Sequence, residues 1–247
     1  MTPHKELKMQ SFRRIRQFFE DALFPPRCLS CRAHLETGER ARWLCKNCTL
    51  PFDFPAGFFC PSCGRRSPAV PSCHPGTRFT GIAPWSYGNT RIRELLHLFK
   101  YDGVKVVTTP LGEELRRYLL LSMELGGISF SDFVIVPIPL HPRKLRRRGF
   151  NQSLLLARTL RTDEIPIIEN ILIRTRATPS QTALKEREER VNNVLGSFAV
   201  TNPEPVRGKN ILLVDDVITS GATMREAARI LKKAGAKKII GLTAARA

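Results

Sequence analysis

Residues 211–223 read Ile211-Leu212-Leu213-Val214-Asp215-Asp216-Val217-Ile218-Thr219-Ser220-Gly221-Ala222-Thr223. An apolar run that ends on two acids reads as a buried strand with charge at its carboxyl end. A short hydroxyl-rich stretch with a glycine follows, and then Met224, Ala227, Ala228, Leu231 and Ala234 recur at helical spacing. Strand, turn and helix in that order make a seat for a phosphate. Gly221 lets backbone approach a ligand, the first helical turn presents unpaired N–H groups, and the helix dipole favours an anion there. Thr219, Ser220 and Thr223 add hydroxyl donors. Asp215 and Asp216 beside such a seat can accept hydrogen bonds from sugar hydroxyls or hold Mg2+, directly or through water. An apolar strand ending in Asp-Asp also suits the Walker B position of a nucleotide-driven motor. The sequence has no G-x-x-x-x-G-K-[ST] phosphate loop to accompany one.

Outward from this stretch, Ile239 to Thr243 reads as a closing strand, and Phe133 to Ile138 as another short, continuously apolar one. Phe79 to Tyr87 is strand-like and closes at Gly88-Asn89. Ile92, Leu95, Leu96 and Phe99 then form a helical face that ends near Lys100-Tyr101-Asp102-Gly103. A second helix follows Pro110, with Leu111, Leu115, Tyr118 and Leu119 on one face, and a third spans the region from Asn151 to Arg161. Alternating strands and helices define an α/β fold with a parallel sheet and flanking helices, whose ligands bind outside the carboxyl ends of the strands. At one such end, Arg143-Lys144-Leu145-Arg146-Arg147-Arg148 places five cations among six residues in a basic loop. A solvated surface, a polynucleotide contact and an oxyanion seat all suit that composition.

All seven cysteines fall between residues 28 and 73, which marks a separate module. Cys28-x-x-Cys31 is followed, after thirteen intervening residues, by Cys45-x-x-Cys48, the spacing that surrounds Zn2+ with four thiolates. Cys60-x-x-Cys63 repeats the form, with Cys73 and His74 beyond it. For this second site His74, a distant residue such as His34, or water could complete the ligand set. Cys60 and Cys63 could also pair with Cys28 and Cys31 in a cross-braced arrangement, or be thiols that are merely buried.

Ahead of the module, Leu7, Phe12, Ile15, Phe18, Phe19, Ala22 and Leu23 follow helical spacing until Pro25 and Pro26 end the pattern. The expected organisation is an amphipathic helix over 1–24, a zinc-ribbon module over 25–76 and an α/β domain over 79–247. Hydrophobic residues make up 42% and charged residues 25%, and no apolar run approaches the ~18 residues of a transmembrane helix. Lys5, Glu6, Lys8, Arg13, Arg14 and Arg16 interrupt the stretch in which an export signal would need an apolar core, so the cytoplasm is the expected location. Forty Lys and Arg against 22 Asp and Glu give a net charge of +18, which attracts nucleic acid, anionic lipid or phosphorylated small molecules. Phe12, Phe18, Trp43, Phe58, Phe59, Trp85 and Tyr101 are the aromatic residues available for stacking on bases.

Residues 211–223 are similar to the phosphoribosyl-pyrophosphate (PRPP) motif of type I phosphoribosyltransferases. Together with the cysteine pairs, Pro137-Ile138-Pro139-Leu140-His141-Pro142-Arg143 and Arg148-Gly149-Phe150-Asn151-Gln152, they make the chain resemble the ComF family, which includes the GntX proteins, over nearly its whole length. The stretches Leu23 to Cys28, Lys100 to Gly103 and Thr178 to Leu184, followed by Arg190, Asn193 and Phe198, also resemble that family's landmarks. The resemblance implies a type I phosphoribosyltransferase fold preceded by zinc ribbons. It implies that Asp215 and Asp216 contact the ribose hydroxyls of PRPP and that Thr219, Ser220, Gly221, Ala222 and Thr223 hold its 5′-phosphate. Arg143, Lys144 and Arg148 would then bind pyrophosphate, Mg2+ would accompany PRPP, and Arg176 to Asn193 would form a mobile cover. One departure is Gly76, which stands where members with two zinc ribbons have a second cysteine after Cys73.

ComF-like proteins are associated with DNA uptake in natural transformation or with use of external DNA. The implied function is binding of PRPP or a related sugar phosphate by a protein that handles single-stranded DNA, in the cytoplasm and at the inner face of the membrane. Two other readings stand beside it. One is an active phosphoribosyltransferase with a nitrogenous acceptor. The other is a zinc-ribbon adaptor that docks a DNA-uptake helicase or channel and carries a vestigial pocket.

Overall fold

The structure is a computed structural model that describes residues 23, 25–71, 73–74, 76–162, 165–176 and 194–247. The amphipathic helix expected over 1–24 lies outside these residues apart from Leu23, as does the expected cover from Arg176 to Asn193 apart from Arg176. The chain forms two compact units, Met1–Thr49 and Leu50–Ala247, so the first two cysteine pairs fall in one unit and Cys60, Cys63, Cys73 and His74 in the other.

The second unit begins with a short hairpin, β1 (Phe58–Phe59) and β2 (Arg66–Ser67), and continues through β3 (Thr80–Ile82) and β4 (Trp85–Ser86). The expected single strand from Phe79 to Tyr87 is thus split. Pro84 lies at the break, where it has no N–H to give a ladder, and its carbonyl accepts from the Asp53 and Phe54 N–H groups instead. Helix α1 (Thr90–Lys100) is capped by the Asn89 side chain and buries Ile92, Leu95, Leu96 and Phe99, the face its spacing predicts. Helix α2 (Thr108–Leu125) takes Pro110 into its first turn and buries Leu111, Leu115, Tyr118 and Leu119.

Strand β5 (Phe133–Pro137) is buried at every position. Helix α3 (Pro142–Arg148) replaces the expected basic loop: His141 caps it, Pro142 starts it, and Gly149 ends it in the left-handed region at φ 79°. None of its residues is buried, so the cap, the proline and the glycine define it where hydrophobic periodicity is missing. Helix α4 (Gln152–Leu160), a two-stranded ribbon of β6 (Leu172–Arg174) and β7 (Phe198–Val200), strand β8 (Asn210–Ile218), helix α5 (Ala222–Lys233) and strand β9 (Lys238–Arg246) complete the unit.

The main sheet runs β2-β1-β3-β9-β8-β5, with β4 also paired to β9. Strands β3, β9, β8 and β5 are parallel, while β1 adds to β3 antiparallel. The cysteine hairpin is therefore an extension of the main sheet. Ile211, Leu213, Ile239, Met224, Ala227, Ala228 and Leu231 form the core between β8, β9 and α5. That core fixes where β8 ends and α5 begins, the point at which an α/β sheet binds its ligand. Phe58, Phe59 and Trp85 are fully or almost fully buried, which removes them from the aromatic residues available for base stacking, whereas Tyr101 is exposed.

Candidate functional site

Asp215 and Asp216 lie inside β8, Asp216 two residues before it ends at Ile218, with Asp215 level with Thr243 of β9. Lys100 Nζ, at the end of α1, lies 3.0 Å from Asp216 Oδ1, and the two side chains are only 20% and 12% exposed. Burial works against the Lys100 charge, but Asp216 and then Asp215 more than offset it and raise the ammonium above its ordinary value. Asp215 Oδ1 accepts from Ser153 Oγ at 2.8 Å and from the Asp216 N–H at 2.9 Å. Burial and then the neighbouring Asp216 charge push the Asp215 carboxyl up to about 7, against the opposing pull of Ser153, the Asp216 N–H and Lys100. Two adjacent carboxyls with different partners result: one neutralised by an ammonium, the other held partly protonated near neutrality.

The Arg148-Gly149-Phe150-Asn151-Gln152-Ser153 segment is the joint between the basic helix and this acid pair. Gly149 turns the chain, and Phe150 packs on Phe99 with ring centroids 5.7 Å apart. Asn151 Oδ1 accepts from the Ser153 N–H at 3.1 Å, while its Nδ2 donates to Ile138 O at 3.0 Å. Gln152 Oε1 accepts from Arg148 Nη1 at 2.8 Å. Ser153 is thereby aimed at Asp215, and Arg148 is held 5.6 Å from the centre of the Tyr101 ring.

Lys144 and Arg148 share a cationic field with Arg174 of β6. Burial, then Arg174, Arg148 and Arg147, hold the Lys144 ammonium below its usual range. Burial likewise lowers the Arg174 guanidinium, with Asp215 pulling the other way. His141 is lowered by burial and then by Arg143, Arg174, Arg146 and Lys144, which suits the neutral ring whose Nδ1 accepts from the Arg143 N–H at 3.2 Å. Lys144, Arg148 and Arg174 therefore gather on the Asp215 side of the sheet end. A concentration of positive charge next to ionisable carboxyls suits a polyanionic ligand. Arg174 and Ser153 are site residues that the sequence did not single out, and Lys100 stood in a landmark stretch without a role assigned to it.

After β8, Thr219 and Ser220 lead to Gly221 at φ 73°, and Ala222 and Thr223 open the twelve-residue α5. Ser220 Oγ accepts from the Ala222 N–H at 3.4 Å. Arg225 Nη2 donates to Ser220 O and fixes the turn from within the helix.

The cysteines form two donor sets, Cys28, Cys31, Cys45 and Cys48, and Cys60, Cys63, Cys73 and His74, each with its ligand atoms within 4.8 Å of one another. Tetrahedral zinc with Zn–S bonds of about 2.3 Å puts sulfurs roughly 3.8 Å apart. Cys31 and Cys45 Sγ are 3.6 Å apart, Cys63 and Cys73 Sγ 3.6 Å, and Cys60 Sγ lies 3.5 Å from His74 Nδ1. Both sets fit the ion, and the grouping follows chain order without cross-bracing. Their backbones also match. The N–H of the first cysteine bonds the carbonyl five residues on (Cys28 to Ala33, Cys60 to Arg65), and its carbonyl accepts from the N–H four residues on (Arg32, Gly64). Arg32 and Gly64 both adopt positive φ, at 64° and 77°. Burial works against ionisation of Cys60, yet the backbone N–H groups of Cys63 and Ser62, then the Cys73 and Cys63 thiols, lower it to about 6. Cys73 is pushed up to about 11 by burial and then by Cys60 and Cys63. Crowded thiols that cannot all ionise alone are those a divalent cation stabilises together. Metal analysis of the full chain is expected to return two zinc ions per chain; a single ion would mean that one of these sets is not a metal site.

Sheet, acid pair, glycine turn and cysteine sets together define a phosphoribosyltransferase-fold protein with a double zinc ribbon. Residues 155–246 match the phosphoribosyl transferase domain family, and residues 19–75 match the double zinc ribbon domain. The DNA utilization protein YhgH of Escherichia coli (strain K12) is 32% identical over 228 residues, covering 87% of this chain and 94% of its own. Competence protein F of Haemophilus influenzae is 28% identical over 86% of this chain and 93% of its own, and competence protein ComFC of Streptococcus pneumoniae 29% identical over 79% and 84%. The chain belongs to the ComF family. Among the described residues no helix is long and apolar enough to cross a membrane.

Proposed function

We propose that this protein binds PRPP or a related ribose phosphate at the carboxyl end of β8 and takes part in the handling of single-stranded DNA during its uptake or use. The observation that carries the reading is the adjacency of the half-buried Asp215 and the buried Asp216 to the Gly221 turn that opens α5. In this reading the two carboxylates accept the ribose hydroxyls, residues 219–223 hold the 5′-phosphate with backbone N–H and hydroxyl groups, and Lys144, Arg148 and Arg143 meet the pyrophosphate. Mg2+ bound with PRPP offsets the charge of its pyrophosphate. Ser153 and Lys100 orient the two carboxyls, and Arg174 adds positive charge on the pyrophosphate side.

Calorimetric titration with PRPP and Mg2+ tests the site. Binding to the native chain that is lost in Asp215→Asn/Asp216→Asn is the expected result; no binding to the native chain at neutral pH overturns the reading. The pH dependence follows from Asp215. Its folded-state value near 7 leaves it protonated below that pH, and a protonated carboxyl accepts fewer hydroxyl donors. Affinity should therefore rise roughly tenfold between pH 6 and pH 8 and then level. Because the ligand's own phosphates also titrate, the measured quantity is the difference from Asp215→Asn, in which this component should vanish.

The part in DNA handling is supported by the names of the relatives, by the net charge of +18 and by the exposed Arg143, Arg146 and Arg147 of α3. Single-stranded DNA binding should weaken steeply with salt, since each phosphate contact contributes about −0.7 to the slope of log K against log salt. Arg146→Gln/Arg147→Gln should flatten that slope by roughly 1 to 1.5. An unchanged slope would take α3 out of the DNA contact.

A further inference from the structure

We infer that the second cysteine site sets the geometry of the sugar-phosphate pocket, so that zinc occupancy at Cys60, Cys63, Cys73 and His74 and ligand binding at the 219–221 turn are linked. This rests on the reading of that turn as a phosphate seat.

The physical connection is short. The Cys60–Gly64 knuckle is the turn of the β1–β2 hairpin, and β1 joins the main sheet through β3. A cleft of about 390 Å³ separates this knuckle from the turn after β8, with Pro61, Ser62 and Gly64 on one wall and Thr219, Ser220 and Gly221 on the other. A ligand seated on the turn thus has a zinc-ribbon peptide as the facing surface of its pocket.

Two arginines tie the walls together. Arg225, in the first turn of α5, donates through Nη2 to Ser220 O and through Nη1 to Pro61 O at 3.4 Å. Arg246, at the end of β9, donates through Nη1 to Gly64 O at 3.2 Å, and its guanidinium lies 4.8 Å from the centre of the Phe59 ring. The glycine is required at position 64: φ is 77°, and a Cβ would overlap the Arg246 guanidinium. Both acceptors are knuckle carbonyls, one directly after Cys60 and one directly after Cys63. Their positions are fixed by the relative placement of those two cysteines, which is what zinc coordination imposes. Loss of the ion frees Cys60 and Cys63 from one another, moves the two carbonyls, and releases Arg225 and Arg246 from the geometry that braces the phosphate turn.

Linkage makes the idea testable in the native chain, because a ligand that favours the braced state must tighten zinc by the factor by which zinc tightens the ligand. Zinc affinity is measured by equilibrium competition with a chelator, with and without saturating ribose 5-phosphate, and ribose 5-phosphate affinity by calorimetry. One of two zinc ions should bind at least tenfold more tightly in the presence of ribose 5-phosphate. Cys63→Ser should lose that ion, lose the ligand effect on zinc, and bind ribose 5-phosphate at least tenfold more weakly. Arg246→Met guards against the possibility that Cys63→Ser merely misfolds; it should keep both ions yet shrink the mutual effect to threefold or less. Native chain that binds ribose 5-phosphate while both zinc affinities stay constant overturns the linkage and leaves the phosphate seat standing. Native chain loaded with two zinc ions that does not bind ribose 5-phosphate overturns both.

Discussion

Lys100→Met should destabilise the second unit by about 3–5 kcal/mol, because it leaves the Asp216 carboxylate buried without its cation. The length and apolar stem of the side chain are kept, so lost packing contributes little. The sign at neutral pH is unambiguous. Lys100 is raised above its unfolded value, so its contribution is fully present below about 10.5 and is lost only as pH rises through the still higher folded value. Replacing both partners is a different experiment from replacing one: Lys100→Met/Asp216→Asn removes the stranded charge and should recover more than half of the loss. Urea unfolding followed by the fluorescence of the buried Trp85, in a Trp43→Phe background, isolates this unit. Equal stability of Lys100→Met and the native chain would mean that the 3.0 Å pair is a solvated contact that leaves no buried charge to strand.

That pair also shows what the sequence could and could not disclose. Strands β5 and β8 and the buried faces of α1, α2 and α5 are legible because burial leaves a periodic or continuous apolar mark on the chain. The acids and the 219–223 turn are legible because strand end, hydroxyls, glycine and helix start are consecutive. Lys100 stands in a landmark stretch, but its pairing is not legible, since a lysine at the last position of a helix has an ordinary reason to be there in the helix dipole, and nothing in its spacing names a partner on a strand far along the chain. Ser153 is hidden in the same way, 62 residues from the carboxyl it orients. The helix at 142–148 is missed for a different reason: six of its seven side chains are polar, charged or proline, so its start and stop are written in His141, Pro142 and Gly149 and not in periodicity. The second metal set lacks the family's Cys spacing at Gly76, yet folding brings His74 Nδ1 to Cys60 Sγ, and His74 completes a set that the cysteine pairs alone do not.

Gly81→Ala should be nearly as damaging, at about 2–3 kcal/mol, for a reason that joins the sheet to the metal hairpin. Gly81 is the central residue of β3 and lies opposite Phe59 in the antiparallel pairing, with the Phe59 ring lying over its Cα. A Cβ there would overlap the ring itself, and Phe59, only 2% exposed, belongs to the main core and has little room to retreat. Because Phe59 immediately precedes Cys60 and lies beneath Arg246, the displaced ring should carry the knuckle with it. Ribose 5-phosphate binding is then expected to weaken along with stability. Phe59→Leu in the Gly81→Ala background should restore much of the loss, although Phe59→Leu alone destabilises, so the double variant should be more stable than the sum of the two single effects, with a nonzero interaction energy. Thermal unfolding of the four proteins measures that term directly. An additive outcome, or a Gly81→Ala chain as stable as the native one, would show that the hairpin rests on the sheet loosely, and a loosely resting hairpin could not transmit zinc occupancy to the phosphate turn.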